Sequence, residues 1–306
     1  MTTTPQSIID RSGLIVIDKP AGLTSHDVVS VVRRAMGTKK VGHAGTLDPA
    51  ATGVLVLGIE RGTRFLAHLV TATKSYAATI RLGAATHTDD AEGETIFTAT
   101  PATLAAVSAA QIAAEVAKLT GDIMQRPTAV SAIKINGKRA HELVRLGEKV
   151  DIPARPVTVS RFEVLSIDSD LSAGWIDLKV EVDCSSGTYI RALARDLGEA
   201  LGVGGHLTAL RRTKLGDFNS REALTLAQLK ENPQLSLSLD EALIRCFPVL
   251  EVSASEGADL AMGKWLEPRG LHGVYAAVDP AGHAIALIQE KGKRLATIFV
   301  ARPSTL

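Results

Sequence analysis

A strictly alternating segment near the middle of the chain constrains the fold more than any other feature. From Trp175 to Cys184, apolar side chains occupy every second position and charged side chains lie between them. The apolar members are Ile176, Leu178, Val180, Val182 and Cys184, and the charged ones are Asp177, Lys179, Glu181 and Asp183. Because successive side chains of a strand point to opposite faces, the pattern predicts a strand with one buried and one solvated face. Such strands are typical of antiparallel sheets.

Shorter patterns predict helices and further strands around this segment. Residues 13–18 and 54–59 are apolar runs of strand length, and Tyr76 begins an alternating strand. Residues 103–120 read as one alanine-rich helix, residues 190–201 carry helical apolar spacing, and Ser25 can cap a helix that ends before Gly37. Three apolar segments joined by turn residues within 274–300 predict a three-strand meander.

Composition limits the class of protein. A chain of 306 residues is long enough for about two domains. The sequence contains no apolar run of the roughly twenty residues that a membrane span needs, and its start lacks a signal-peptide pattern, so we expect a cytoplasmic protein. Its two cysteines, Cys184 and Cys246, have no Cys or His neighbour at metal-finger spacing. We therefore expect reduced thiols and no metal.

A glycine-punctuated loop presents one carboxylate. Gly42, Gly45 and Gly53 surround Asp48, and Pro49 disfavours helical geometry at the residue before it. Asp48 is thus expected on a rigid loop and not on a helix face. Two interpretations are open for such an aspartate: a reactive carboxylate suited to covalent catalysis, or an Asp-Pro turn whose side chain caps its own backbone.

The segments around this loop resemble the TruB family of pseudouridine synthases. Residues 41–55, VGHAGTLDPAATGVL, resemble its catalytic motif. The other matching segments follow in the family's order: DKPAGLTSH at 18–26, KSY at 74–76, RLG at 81–83, QRP at 125–127, SAIKINGKR at 131–139, CSSGTYIRALARDLG at 184–198 and GHLTALRRT at 205–213. Several ordered matches across about two thirds of the chain are far more specific than one motif.

The resemblance implies a fold and a division into domains. It implies an α+β catalytic core over residues 1–246, in which a mixed and mainly antiparallel sheet is flanked by helices. Residues 124–155 correspond to an insertion that clamps RNA. Residues 247–306 correspond to a small β-rich, PUA-like RNA-binding domain, which they resemble only weakly.

The resemblance also implies the reaction and its catalytic residues. It implies isomerisation of uridine to pseudouridine at position 55 in the TΨC loop of tRNA, which needs no redox cofactor. Asp48 corresponds to the family's essential aspartate, acting on a flipped-out base, and Arg191 to the cation that pairs with it. Tyr76 corresponds to a stacking platform for the base and a base in the later proton removal. A core tyrosine and a surface ion pair are the plainer interpretations of Tyr76 and Arg191 taken alone.

The remaining expected site residues concern substrate and RNA binding. The resemblance places His43, Lys19 and Asp90 beside the RNA, although Lys19 could instead shape the site and Asp90 could be a turn residue. Tyr189 is expected as a second site residue or a packing partner. Leu210 and Ile133 are expected as apolar walls, with core packing as the alternative. The chain departs from the family at Thr128, Val130 and His141, within the predicted insertion.

Charge is unevenly distributed along the chain, despite a net charge of only +1. Residues 11–81 carry ten Lys or Arg against four Asp or Glu, whereas residues 82–122 carry one against six. Such segregation fits a groove that binds a polyanion, and solvated surface is an equal alternative. We expect tRNA as the partner, no membrane, no obligatory protein partner and a monomer.

Other functions are weighed against this one. A guide-dependent synthase acting on ribosomal RNA is disfavoured by the lack of long basic tails, and a non-catalytic tRNA-binding or folding module would not need Asp48 with Tyr76 and Arg191. A glycoside hydrolase would require a second carboxylate beside Asp48, which the motif lacks.

Overall fold

The computed structural model describes residues 7–129, 134–135, 138–139 and 152–306. Its helices are α1 (Ser25–Ala35), α2 (Leu66–Val70), α3 (Pro101–Ala105), α4 (Ala109–Lys118), α5 (Ile190–Ala200), α6 (Leu226–Glu231), α7 (Leu239–Cys246) and α8 (Ala254–Ala261), with a 3-10 helix over Glu60–Phe65. Its strands are β1 (Gly13–Lys19), β2 (Val41–Ala44), β3 (Thr52–Ile59), β4 (Lys74–Leu82), β5 (Ala84–Thr86), β6 (Thr95–Thr98), β7 (Gly121–Gln125), β8 (Lys134–Ile135), β9 (Lys138–Arg139), β10 (Arg155–Asp170), β11 (Trp175–Cys184), β12 (Gly205–Leu215), β13 (Phe218–Asn219), β14 (Leu237–Ser238), β15 (Val249–Glu251), β16 (Val274–Val278), β17 (Ala284–Lys291) and β18 (Arg294–Val300).

The chain divides into two compact units. The first comprises Met1–Pro49, Gly53–Thr71 and Leu215–Leu306, and the second comprises Ala50–Thr52 and Ala72–Lys214. The domain boundary expected between residues 246 and 247 stays a prediction. Most of the expected insertion at 124–155 lies outside the described residues.

In the first unit, β1 pairs antiparallel with both β3 and β14, and β2 also pairs antiparallel with β3. Both faces of β1 and β3 are covered. Ile15 and Leu57 pack with Val28 and Val32 of α1, whereas Val16 packs in a second cluster that includes α7 and the C-terminal sheet. Burial on both faces explains why these strands read as continuous apolar runs.

The C-terminal part of this unit forms its own four-stranded sheet, in the order β15-β16-β17-β18. The expected three-strand meander is confirmed, since β16, β17 and β18 pair antiparallel in succession. The parallel strand β15 was not predicted, because three residues are too few to show a period.

In the second unit, the sheet order is β12-β4-β11-β10-β7. The alternation from Trp175 to Cys184 is confirmed as β11, which pairs antiparallel with β4 from Ile176↔Leu82 to Cys184↔Lys74. Gly198 of α5 lies against the backbone of residues 204 and 205, where an added Cβ would approach Gly205 N to 2.1 Å. This close approach requires a glycine.

Two local expectations were wrong. The helix expected over residues 103–120 is two helices, α3 and α4, because Ser108 caps α4 in a capping box with Gln111 and interrupts the run. The cap of α1 is Thr24, whose hydroxyl accepts from Asp27 N, and not Ser25. The expected fold class is confirmed: an α+β architecture with a mixed, mainly antiparallel sheet, flanking helices and a C-terminal sheet domain.

Candidate functional site

Asp48 lies on an irregular loop between β2 and β3, as its sequence context predicts. Gly45 has φ +81°, a backbone conformation that favours glycine, and Asp48 itself is half-buried. A carboxylate on a loop that directly follows a strand has less freedom of movement than the charged end of a long surface side chain.

Ser25 holds the residue before Asp48. Its buried hydroxyl accepts a hydrogen bond from Leu47 N at 2.9 Å and lies 3.2 Å from Leu47 O, to which it can donate. Because Thr24 takes the capping role, Ser25 is available for this contact. This tie between Ser25 and Leu47 was not predicted.

Lys19 holds the residue after Asp48. Its side chain is fully buried, and its ammonium donates to the carbonyl oxygens of Pro20 at 2.9 Å, Leu23 at 2.6 Å and Pro49 at 3.1 Å. Gly22 N donates to the same Pro49 oxygen at 2.9 Å. An ammonium engaged in this way favours the loop-shaping interpretation of Lys19 over contact with an RNA phosphate.

His43 lies in β2, opposite Leu57 of β3, and is half-buried. Its ring stands edge-on to the ring of His26, with centroids 6.4 Å apart. His26 is exposed at the start of α1, so two imidazoles from different motif segments share one neighbourhood of the first unit.

Tyr76 is the third residue of β4, near the strand start as expected, and is only 8% exposed. It shares the buried face of the strand with Lys74 and Ile80. A hydrogen bond joins its hydroxyl to the side chain of Arg212, in the neighbouring strand β12. Arg212 is 1% exposed and was not among the predicted site residues.

Arg191 lies in the first turn of α5 and is buried. Its guanidinium donates to Thr88 O at 2.9 Å and lies 3.4 Å from a carboxylate oxygen of Asp90. Asp90 also organises its own turn, since Oδ1 accepts from Glu92 N at 3.1 Å. The structure therefore brings together two predicted residues and supports the turn interpretation of Asp90, whose place beside the RNA stays a prediction.

Tyr189 caps the start of α5 and is held through its backbone. The amide of Gln125 accepts from Tyr189 N at 2.8 Å and donates to Tyr189 O at 3.0 Å. The Arg155 guanidinium lies 5.3 Å from the centre of the tyrosine ring and donates to Gly187 O at 2.8 Å. Gln125 lies in the QRP segment, and nothing in the residues around it predicts that its side chain is buried.

Asp89 and Asp196 flank Arg195 in a second, partly buried network. Arg195 contacts Asp89 at 3.2 Å and Asp196 at 2.7 Å, and it donates to Arg126 O. Burial raises the pKa of both carboxyl groups, although Arg195 opposes the shift. Asp89 has φ +60°, unusual for a residue with a side chain, which marks this turn as tightly constrained.

Leu210 lies in β12 and is half-buried, which leaves open whether it serves as a wall or as core. Ile133 lies outside the described residues. Asp48, Lys19 and His43 belong to the first unit, whereas Tyr76, Asp90, Tyr189, Arg191 and Leu210 belong to the second. Their assembly into one site stays a prediction.

The chemistry that these groups offer is nucleophilic and acid–base. A fixed carboxylate can attack an electrophilic carbon, a tyrosine hydroxyl can move a proton, and buried guanidinium groups can orient anions. Within the described ranges, no group of three or more His, Cys, Asp or Glu is arranged to hold a metal ion. Among those same residues, no helix combines the length and apolar character needed to cross a membrane.

Three family models match the chain and together cover most of it. The model described as the TruB family pseudouridylate synthase N-terminal domain matches residues 33–190. A tRNA pseudouridylate synthase B C-terminal domain matches residues 191–247, and a tRNA pseudouridine synthase II C-terminal domain matches residues 247–302.

Curated relatives match over nearly their whole length. A tRNA pseudouridine synthase B of Corynebacterium diphtheriae is 69% identical over 96% of this chain and 98% of its own. The one from Corynebacterium aurimucosum is 70% identical over 97% and 99%, and that from Rhodococcus jostii is 56% identical over 99% and 98%.

Solved structures share the fold. A chain in a Cbf5–Nop10–Gar1 complex is 27% identical, with a TM-score of 0.71 over 98% of this chain and 88% of that one. A chain in an H/ACA RNP bound to a substrate RNA containing 2'-deoxyuridine has a TM-score of 0.70 at 24% identity, over 97% and 86%.

Proposed function

The chain belongs to the TruB family of pseudouridine synthases, and from this membership we propose that it isomerises uridine 55 in the TΨC loop of tRNA to pseudouridine. The observation that carries this proposal is the 69% identity to a curated tRNA pseudouridine synthase B across 96% of the chain. Because the match spans nearly the full length of both chains, the activity need not be assigned from one motif.

The reaction exchanges one bond for another. The bond between N1 of uracil and C1' of ribose breaks, the base turns, and a bond forms between C5 and C1'. The hydrogen on C5 leaves as a proton, N1 gains a proton, and no electrons enter or leave. The chemistry therefore calls for a nucleophile, a proton acceptor and a pocket for an extruded base.

We assign the nucleophile role to Asp48. Two observations support the assignment: its loop is held on one side by Ser25 and on the other by Lys19. Fixing both neighbours holds the backbone at Asp48 and so limits where its carboxylate can reach, which favours a productive attack distance.

Arg191 and Tyr76 complete the proposed catalytic set. Arg191 is the proposed cationic partner of Asp48, and its own orientation is set by Thr88 and Asp90. Tyr76 stacks on the extruded uracil and receives the C5 proton. His43, Tyr189 and Leu210 line the surroundings of the base and the RNA.

The enzyme is further proposed to act in the cytoplasm, as a monomer, without a protein partner or redox cofactor. A guide-dependent synthase, in contrast, would require a guide RNA before it could modify its target. Activity on bare tRNA separates the two proposals.

The test follows release of tritium from tRNA that carries tritium at C5 of uridine. Wild-type protein should release it, Asp48→Asn should not, and Asp259→Asn, which removes an exposed carboxylate from α8, should match the wild type. A tRNA with cytidine at position 55 should give no release. Equal activity of wild type and Asp48→Asn would refute the nucleophile assignment, and binding of tRNA without release would favour a non-catalytic module.

A further inference from the structure

A buried arginine stands against the tyrosine that is proposed to receive the proton. Arg212 of β12 is 1% exposed, Tyr76 of β4 is 8% exposed, and the two strands are neighbours in the sheet of the second unit. The side chains are joined by a hydrogen bond. Since a guanidinium has donors and no acceptor, the phenolic oxygen is the acceptor.

The electrostatic surroundings of this pair are cationic. Lys74 lies two residues before Tyr76 on the same buried face of β4. Burial, together with the nearby Arg212, lowers the pKa of Lys74 to about 8, and the thiol of Cys184 opposes this shift. Cys184 lies directly opposite Lys74 in β11.

Burying a guanidinium is costly, and the cost is best offset by a partner that carries negative charge. Burial lowers the pKa of Arg212, and the contact with Tyr76 raises it. A hydrogen bond from the cationic guanidinium to a neutral phenol has a charge on the donor alone, whereas the bond to a phenolate also joins two opposite charges. The arrangement therefore favours the deprotonated form of Tyr76 more than an apolar pocket would.

We propose that Arg212 is a positioning residue, and this proposal rests on the proposed function. Arg212 fixes the Tyr76 hydroxyl and stabilises the Tyr76 phenolate, which removes the C5 proton. The phenol first loses its proton to water. After the bond between C5 and C1' has formed, the phenolate oxygen takes the C5 proton, and the electron pair of the C–H bond restores the C5=C6 double bond. The proton on Tyr76 then returns to solvent.

Three variants separate charge from hydrogen bonding. Arg212→Lys keeps the charge, Arg212→Gln keeps a donor without the charge, and Arg212→Met removes both. The matched control is Lys179→Met, which also removes one positive charge but lies on β11 opposite Thr79, on the exposed face of the same sheet. Circular dichroism establishes which variants fold.

The first measurement is single-turnover tritium release across a range of pH, together with tRNA affinity. Arg212→Met and Arg212→Gln should lower the rate constant of tritium release by about tenfold or more. In both variants the increase of this rate constant with pH should occur at higher pH than in the wild type. The dissociation constant for tRNA should stay within about twofold of the wild-type value. Arg212→Lys should keep the wild-type pH profile, and Lys179→Met should change neither quantity. If Arg212→Gln or Arg212→Met folds and shows the wild-type rate constant and pH profile of tritium release, the proposal is overturned.

The second measurement reads Tyr76 directly. The chain has only three tyrosines, so the tyrosinate absorbance of Tyr76 is the difference between each protein and the same protein with Tyr76→Phe. Tyrosinate should form at higher pH in Arg212→Gln than in Arg212→Lys or wild type, and identical titrations would overturn the proposal. This readout needs no turnover: if the wild type fails to release tritium, the proposed function falls, and the titration still decides whether Arg212 acts on Tyr76.

Discussion

The buried ammonium of Lys19 lies 3.1 Å from the carbonyl oxygen of Pro49, the residue that follows Asp48. A cation at the end of β1 thus holds the backbone of the loop that carries the proposed nucleophile. The two motif segments at 18–26 and 41–55 are therefore joined by a structural contact, to which Ser25 adds a second through Leu47.

Replacing Lys19 is expected to slow the chemistry without weakening binding. In Lys19→Met the Pro49 carbonyl loses its buried donor, so Asp48 should drift from its productive direction and single-turnover tritium release should slow by about tenfold to a hundredfold. The tRNA dissociation constant should change by less than about twofold. Lys118→Met, at an exposed lysine of α4, is the matched control.

A phosphate contact by Lys19 would give the opposite result. In that case Lys19→Met would weaken tRNA binding, reduce the slope of log affinity against log salt by about one, and leave the single-turnover rate unchanged.

Gln125 is expected to matter for stability and for the placement of Tyr189. Gln125→Leu leaves both the N–H and the carbonyl of Tyr189 without their side-chain partner, so the free energy of unfolding should fall by about 2 kcal/mol, as measured by denaturant titration. At neutral pH, Gln125→Glu would place a buried carboxylate against the carbonyl oxygen of Tyr189, so its loss of stability should be at least as large. The exposed Gln234 supplies the control, and a Gln125→Leu variant as stable as Gln234→Leu would contradict the prediction.

The buried Lys74 should make the folded protein more stable as pH rises from about 7 to 9. Its pKa falls from 10.5 in the unfolded chain to about 8 in the folded one, so the unfolded state binds more protons within that window. Because the ammonium of Lys74 is partly solvated, the free energy of unfolding should rise by only about 1 kcal/mol over this pH range.

The test is the free energy of unfolding at both ends of that pH range. Lys74→Met should lack the rise, and the exposed Lys118→Met should retain it. Above about pH 9 the raised pKa values of Cys184 and Cys246 act with the opposite sign, since the unfolded thiols ionise first, so the comparison ends there. An equal rise in Lys74→Met would contradict the assignment.

Both cysteines should resist alkylation in the folded protein. Burial raises the pKa of Cys184 to about 11 and that of Cys246 to about 12, and only the thiolate reacts. Iodoacetamide at near-neutral pH should label neither thiol of the native chain, and both after unfolding in guanidinium chloride, as counted by mass spectrometry. Rapid labelling of Cys246 in the folded chain would show that its surroundings are less apolar than the structure indicates.

Local sequence patterns predicted much of the fold. The alternation of β11, the C-terminal meander and the loop position of Asp48 were all predicted and all found, because each depends on neighbours in sequence. The break between α3 and α4 at Ser108 was not predicted. A serine within an alanine-rich segment can either continue the helix or cap a new one, and the composition of the segment does not decide between the two.

The sequence by itself determined the family, the fold class and the identity of the proposed nucleophile, because ordered motifs and periodic apolar residues are local properties of a chain. Only the tertiary structure decided which polar side chains are buried and what they hold. The polar residue types of Lys19, Gln125 and Arg212 do not by themselves predict burial, yet each is buried against a partner at least thirty positions away. A buried polar group is stable only when its hydrogen-bonding partners surround it, and those partners come together only when the chain has folded.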